Sequence, residues 1–243
     1  MKKPILALIA LILIVSCNKK ELKGNLNITG NVKGLKEGTL YIQKFVDTAL
    51  VAIDTIKIDG NSHFESNLDL KSPEMLYLFL DRGVSNSLDN NIMFFAEPGI
   101  INIETNLDAF LSGAKITGSK NHDLYEEYKK TTSRYKDENL TLIEQKFKAI
   151  KRKDISAKRK DISAVDSLSK MQDLNLKRKY LFAVNFAMNN KDHEIAPYIA
   201  LAEVYDINIK FLDTINNAMT PKVAQSMYGK KLTEYITSLK KGN

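Results

Sequence analysis

The sequence predicts an α+β chain: an N-terminal antiparallel β-sandwich or partly open barrel, followed by a C-terminal all-helical region with a long helical hairpin. Of the 11 glycines, nine fall between Gly24 and Gly118, whereas Ser119 through Ala196 contains neither Gly nor Pro. The punctuation that strands need therefore stops at Gly118. Before that point, short apolar or alternating runs recur at roughly ten-residue spacing, as in a β-domain. After it Leu, Lys, Glu and Tyr are abundant and apolar residues recur at helical spacings.

The β-domain is expected over residues 25–118, with strands at 25–32, 39–45, 50–58, 63–68, 75–80, 92–96 and 100–104. Lys57-Ile58-Asp59-Gly60-Asn61 reads as a hairpin turn, because Gly60 takes positive φ without a Cβ penalty. Glu97-Pro98-Gly99 reads as a second hairpin turn, with Pro98 presetting φ. Seven strands without intervening helices fit a sandwich or an open barrel.

The helical domain is expected over residues 119–243. Ser119 and Asn121 are candidate N-caps for a first helix rich in Leu, Lys, Glu and Tyr. Inside it lies a tandem duplication, Lys151 to Ala157 followed by Lys158 to Ala164, with the same seven residues in both copies. Seven residues are close to two helical turns, so the insertion shifts the helix phase by only about 20° and suits a solvent-facing arm. Ile143, Phe147 and Ile150 form one stripe, and Ile155 and Ile162 fall away from it. The segment 165–189 is expected to return antiparallel to the first helix, with short helices following near 196–204 and 207–216. A last helix is expected to start at Thr220 as N-cap with Pro221 at the first helical position, carrying Val223, Met227, Tyr228, Tyr235, Ile236 and Leu239 along one side.

The start of the chain sets the expected compartment. Met1-Lys2-Lys3-Pro4 is a basic lead, and Ile5 through Val15 is an unbroken apolar run, too short for the roughly 20 residues of a membrane-spanning helix. It reads as a signal peptide over residues 1–16. With Ser16 before Cys17, the segment resembles the lipobox of bacterial lipoproteins, although Ile14 stands where leucine is commonest. The resemblance implies lipid on Cys17, a polar tether over residues 17–24, and stable membrane anchoring. The expected location is the bacterial cell envelope, at the outer membrane facing the periplasm, with surface exposure as an alternative. Cys17 is the single cysteine of the chain, so once lipidated it leaves no thiol for disulfide, metal or redox chemistry.

The chain carries a formal charge of +7, two units of which belong to Lys2 and Lys3. The basic residues concentrate in Lys146, Lys148, Lys151, Arg152, Lys153, Lys158, Arg159 and Lys160, with Asp154 the one acid between 146 and 160. No aromatic residue is interleaved between 148 and 160 for base stacking, and an envelope location removes nucleic acid as a partner. An anionic lipid surface and a solvated helix face are the two readings of this block.

His63, His122 and His193 lack a second histidine at zinc spacing, and no nucleophile elbow, phosphate loop or dinucleotide fingerprint occurs. Glu126-Glu127 and Asp137-Glu138 are neighbours on a helix, which do not face one substrate. No catalytic residue, metal or cofactor is assigned. Thr48, Thr55, Ser167 and Thr214 each follow an Asp and precede an aliphatic residue, resembling the O-glycosylation acceptor site of some Gram-negative envelope proteins.

Asn27-Ile28-Thr29-Gly30, Gly38-Thr39-Leu40-Tyr41-Ile42, Asp59-Gly60 with Phe64, Glu97-Pro98-Gly99, Ile116-Thr117-Gly118-Ser119 and Ser226-Met227-Tyr228-Gly229 occur in that order. The arrangement resembles the domain of unknown function, with its helical extension, that lies N-terminal to the thioredoxin-like domain of membrane-anchored thiol-disulfide oxidoreductases. That family would place a Cys-x-x-Cys domain after the last helix, whereas the given sequence ends at Asn243. No redox residue carries over. The expected function is a non-catalytic envelope lipoprotein acting as a binding or assembly module. The alternative is an accessory module docking with a separate thioredoxin-like oxidoreductase, or the truncated N-terminal part of one.

Overall fold

The computed structural model describes residues 24–83, 87–151 and 158–242, and the side chains of all of these except 158–162. The signal segment, Cys17 and most of the tether lie outside the described residues. The described residues form eight strands: β1 (Leu26–Lys33), β2 (Glu37–Val46), β3 (Ala49–Asp59), β4 (His63–Leu68), β5 (Glu74–Asp81), β6 (Asn91–Ala96), β7 (Gly99–Asn106) and β8 (Lys115–Thr117). They form two four-stranded sheets, ordered β4-β1-β7-β8 and β3-β2-β5-β6.

Period-two alternation explains the sandwich core. Ile28 and Val32 of β1, Leu40 and Ile42 of β2, and Ile101 and Ile103 of β7 point inward and are fully buried. β5 and β6 read differently in the sequence, as the continuous apolar runs Met75 to Leu80 and Ile92 to Ala96. Continuous runs mark strands covered on both faces. Leu76, Leu78, Leu80, Ile92 and Phe94 enter the sandwich, whereas Met75, Tyr77, Met93 and Phe95 pack under the helices. The result is three layers, with the second sheet in the middle.

Three details depart from the sequence reading. β1 and β7 pair in parallel, Leu26 opposite Gly99 through Lys33 opposite Asn106, while the other strand pairs are antiparallel. Gly60 does adopt positive φ (78°), but its turn carries the chain from β3 in one sheet to β4 in the other, so no hairpin forms there. Glu97-Pro98-Gly99 makes the same kind of crossing from β6 to β7. β8 was not foreseen, because three residues with a single apolar Ile116 are too short to show alternation.

The helices are α1 (Lys120–Lys151), α2 (Lys158–Asn189), α3 (Ile195–Glu203), α4 (Ile209–Ala218), α5 (Pro221–Ala224) and α6 (Met227–Lys241). Ser119 caps α1, its hydroxyl oxygen accepting from the His122 amide at 3.0 Å, while Asn121 lies within the first turn and serves elsewhere. α1 and α2 pair as an antiparallel hairpin: the Asn175 amide donates to the Tyr135 carbonyl, and Gln172 bonds Asn139. The single last helix expected from Thr220 is broken in two. Ser226 begins α6 by accepting from the Gly229 amide, and it donates to the Val223 carbonyl of α5. A Cβ on Gly229 would overlap that same carbonyl, so the corner closes only with glycine there.

A second helical core, including Val184, Ala200, Leu212, Ile215, Val223, Leu232 and Ile236, holds α2 to α6 together. Among the described residues no helix is long and apolar enough to cross a membrane.

Candidate functional site: a braced joint and a projecting helical arm

The β-domain and the helices meet at a joint centred on Asn121, which is 1% exposed. Its side-chain amide donates to Glu97 in the β6–β7 turn and, at 3.0 Å, to Glu194 ahead of α3, while its carbonyl oxygen accepts from the Ile195 amide at 2.8 Å. Glu97 also accepts from the Lys120 amide, and Lys222 approaches Glu194 at 3.5 Å. Both carboxylates are thereby consumed in bracing three segments rather than presented to a substrate. On the neighbouring side the Tyr228 hydroxyl accepts from the Met75 amide and the Ser72 hydroxyl oxygen from the Met227 amide, each at 3.0 Å.

Around this joint Phe95, Tyr125, Tyr198 and Tyr228 pack ring against ring, with centroids 5.1–5.9 Å apart. Burial raises the pKa of all three phenols well above the ordinary tyrosine value, so they stay neutral. Edge-to-face rings of this kind contribute packing beyond their buried area. The cluster is a structural weld between sheet and helices.

A cleft of about 340 Å³ lies between β6, the loop before β8, and α1, bounded by Ile92, Leu111, Ala114, His122, Glu126 and Lys129. His122 is buried; its Nδ1 accepts from the Phe95 amide at 3.4 Å, and its Nε2 lies 3.5 Å from Glu126. Lys129 sits on the same Glu126 oxygen. Burial lowers the His122 pKa, partly opposed by Glu126. Both ring nitrogens thus face a polar neighbour within the fold, Nδ1 the Phe95 amide and Nε2 the Glu126 carboxylate. The spacing of four residues between His122 and Glu126 is the signal in the sequence that joins them.

Beyond Thr132 the α1–α2 hairpin projects as an arm. Glu97 lies beside the start of α1, and Gly99 pairs with Leu26 where the chain enters β1. α1 then runs past Phe95 toward Ile92, antiparallel to β6, and leaves the sandwich at the end opposite that entry. From Thr132 to Lys151, at a rise of about 1.5 Å per residue, the arm reaches roughly 28 Å further.

One flank of the arm is a groove. Near the body it is polar, bounded by Tyr135, Lys136, Asn139, Gln172 and Lys179; toward the tip it passes Gln172 and becomes apolar, with Ile143, Phe147 and Ile150. The predicted stripe of Ile143, Phe147 and Ile150 is thus one surface. Phe147 is 59% exposed and Ile150 60%.

The sequence-predicted sites distribute as follows. Lys146 is half-buried with its ammonium toward Gln172, and Lys148 and Lys151 are exposed on the last turns of α1. Arg152 and Lys153 lie outside the described residues, as does Ile155. Lys158, Arg159 and Lys160 are described only as backbone of the first turn of α2. Thr48 in the β2–β3 turn, Thr55 on β3, Ser167 on α2 and Thr214 on α4 are all exposed, and no two share an element. Among the described residues no cluster of His, Cys, Asp or Glu has the arrangement of a metal site.

Fold and joint together define a two-sheet β-domain welded to a helical domain that carries a projecting hairpin. Residues 26–125 match the model of a family described as a domain of unknown function, DUF4369. The match spans the two sheets and the beginning of α1. Comparison with curated proteins and comparison with solved structures give no match.

Proposed function

We propose that this chain is a non-catalytic binding module of the bacterial envelope, held by lipid on Cys17 and acting through its helical arm. The observation that carries the reading is the arm itself. Between Tyr135 and Gln172 its side chains bond across the hairpin rather than to the body, while Leu140, Phe147, Ile150, Met171 and Leu174 stay more than half exposed. An apolar surface held away from a well-packed body is the mark of a contact surface. Glu97 and Glu194 of the joint are held by the Asn121 amide and, for Glu97, the Lys120 backbone amide, which favours a bracing role for them over catalysis.

Photo-crosslinking in intact cells tests the reading. A photoreactive side chain at Phe147 or Met171 is expected to give adducts, and one at Thr55 on the exposed face of β3 is not. Equal labelling at all three positions, or none on the arm, contradicts it.

The second reading, docking with a separate thioredoxin-like oxidoreductase, draws on the ordered motifs that resemble the module preceding such domains. It predicts that a Cys-x-x-Cys protein is the adduct obtained from the arm.

A further inference from the structure

The tip of the arm brings two kinds of side chain together. Phe147 and Ile150 stand exposed on one flank, with Lys146 on the hairpin side of them and Lys148 and Lys151 on the same two turns. Between Lys146 and Lys151 α1 carries three lysines and no acid, the nearest acid on the helix being Glu144, a turn closer to the body. An acidic surface is the electrostatic complement of this tip. Its apolar part is small, two large side chains bordered by long cationic ones, which suits shallow entry into a headgroup layer better than burial against a folded partner.

We propose that the arm tip is a membrane-contacting wedge: Phe147 and Ile150 enter the interface of an anionic phospholipid bilayer, and Lys146, Lys148 and Lys151 lie among its phosphates. This deepens the binding role proposed above by naming the surface bound. The chain enters β1 at one end of the molecule and the tip lies beyond the other. The tether between Cys17 and Gly24 extends at most about 25 Å at roughly 3.5 Å per residue. Contact of both with one bilayer therefore lays the molecule on its side along the membrane.

The chain contains no tryptophan, so Phe147→Trp supplies a single fluorescent reporter at the tip. The full chain carrying it is reconstituted into vesicles of phosphatidylcholine alone or of phosphatidylcholine with phosphatidylglycerol, with a brominated lipid as quencher. The indole is expected to shift to the blue and be quenched when phosphatidylglycerol is present, and to remain in water without it. With the Cys17→Ser form added to vesicles from solution, replacing Lys148 and Lys151 by Gln is expected to lower the partition constant roughly thirtyfold, at one headgroup attraction lost per lysine. Ile150→Ser is expected to weaken partitioning while leaving the helical circular dichroism unchanged.

An indole that stays in water in both vesicles overturns the proposal, and so does equal quenching in both. A blue shift with poly-glutamate as large as that with the phosphatidylglycerol vesicles assigns the tip to an acidic protein and overturns it as well. Absence of lipid on Cys17 would refute the anchor alone, because the Cys17→Ser experiment reads the tip without it.

Discussion

The side-chain amide of Asn121, in the first turn of α1, donates to both Glu97 in the β6–β7 turn and Glu194 ahead of α3. One buried residue thus fixes the direction in which the arm leaves the β-domain. Asn121→Ala removes the shared donor and the acceptor for the Ile195 amide, leaving Glu194, 3% exposed, with the exposed Lys222 ammonium at 3.5 Å. The expected loss is about 3 kcal/mol, since breaking one member of a buried network leaves two carboxylates short of a donor and one amide without its acceptor. Urea unfolding followed by circular dichroism measures it.

The turn into α1 carries a second sensitivity. Gly118 has φ of 96°, and a Cβ there would overlap the Ile100 carbonyl of β7. Gly118→Ala combines positive-φ strain with that overlap, and roughly 2 kcal/mol of destabilisation lowers the melting temperature by about 5 °C in a chain of this size. Gly60→Ala meets nothing within 4 Å and bears only the conformational cost; its melting temperature is expected to fall less.

Tyr128 is 1% exposed, stacked on Phe182 and tilted against Phe186, and its buried hydroxyl makes no hydrogen bond among the described residues. Tyr128→Phe keeps the rings and removes the unsatisfied group. The variant is expected to be as stable as the parent or more stable by about 1 kcal/mol, read in the same urea titration.

His122 makes stability depend on pH in a defined direction. Burial holds its folded pKa below the ordinary histidine value, with Glu126 and Asp123 opposing that and Lys129 reinforcing it. As pH falls below about 6.5 the unfolded chain takes up the proton first. The stability that the neutral ring contributes is therefore present above that pH and lost as pH drops toward the folded pKa. His122→Gln is expected to flatten the profile between pH 7 and pH 5. A profile as steep as the parent's assigns the dependence to other groups.

Much of the fold was legible because it rests on local signals. The strand at 63–68 was located to the residue, Ser119 caps α1 as expected, and the Gly and Pro gap after Gly118 coincides with the start of the helices. What escaped was non-local. Nothing in Leu26 to Lys33 shows that its neighbour is a parallel strand more than 70 residues away. The break before α6 depends on Gly229 meeting the Val223 carbonyl, a contact that exists only after the corner closes. The joint was hidden for the same reason: Glu97, Asn121 and Glu194 are ordinary surface residue types until tertiary packing brings them together. The arm tip was half legible, since its charges and its apolar stripe were both visible, but their common exposure was not.

The proposed binding role presupposes that lipid on Cys17 holds the chain at a membrane. Mass spectrometry of the N-terminal peptide, taken from the membrane fraction of cells making the full chain and from the same cells with Cys17→Ala, tests this most directly. The account predicts a peptide that begins at Cys17 and carries acyl chains, found with the membranes, and a Cys17→Ala chain that lacks them. An unmodified Cys17, or a chain that fractionates identically with and without that cysteine, would contradict it.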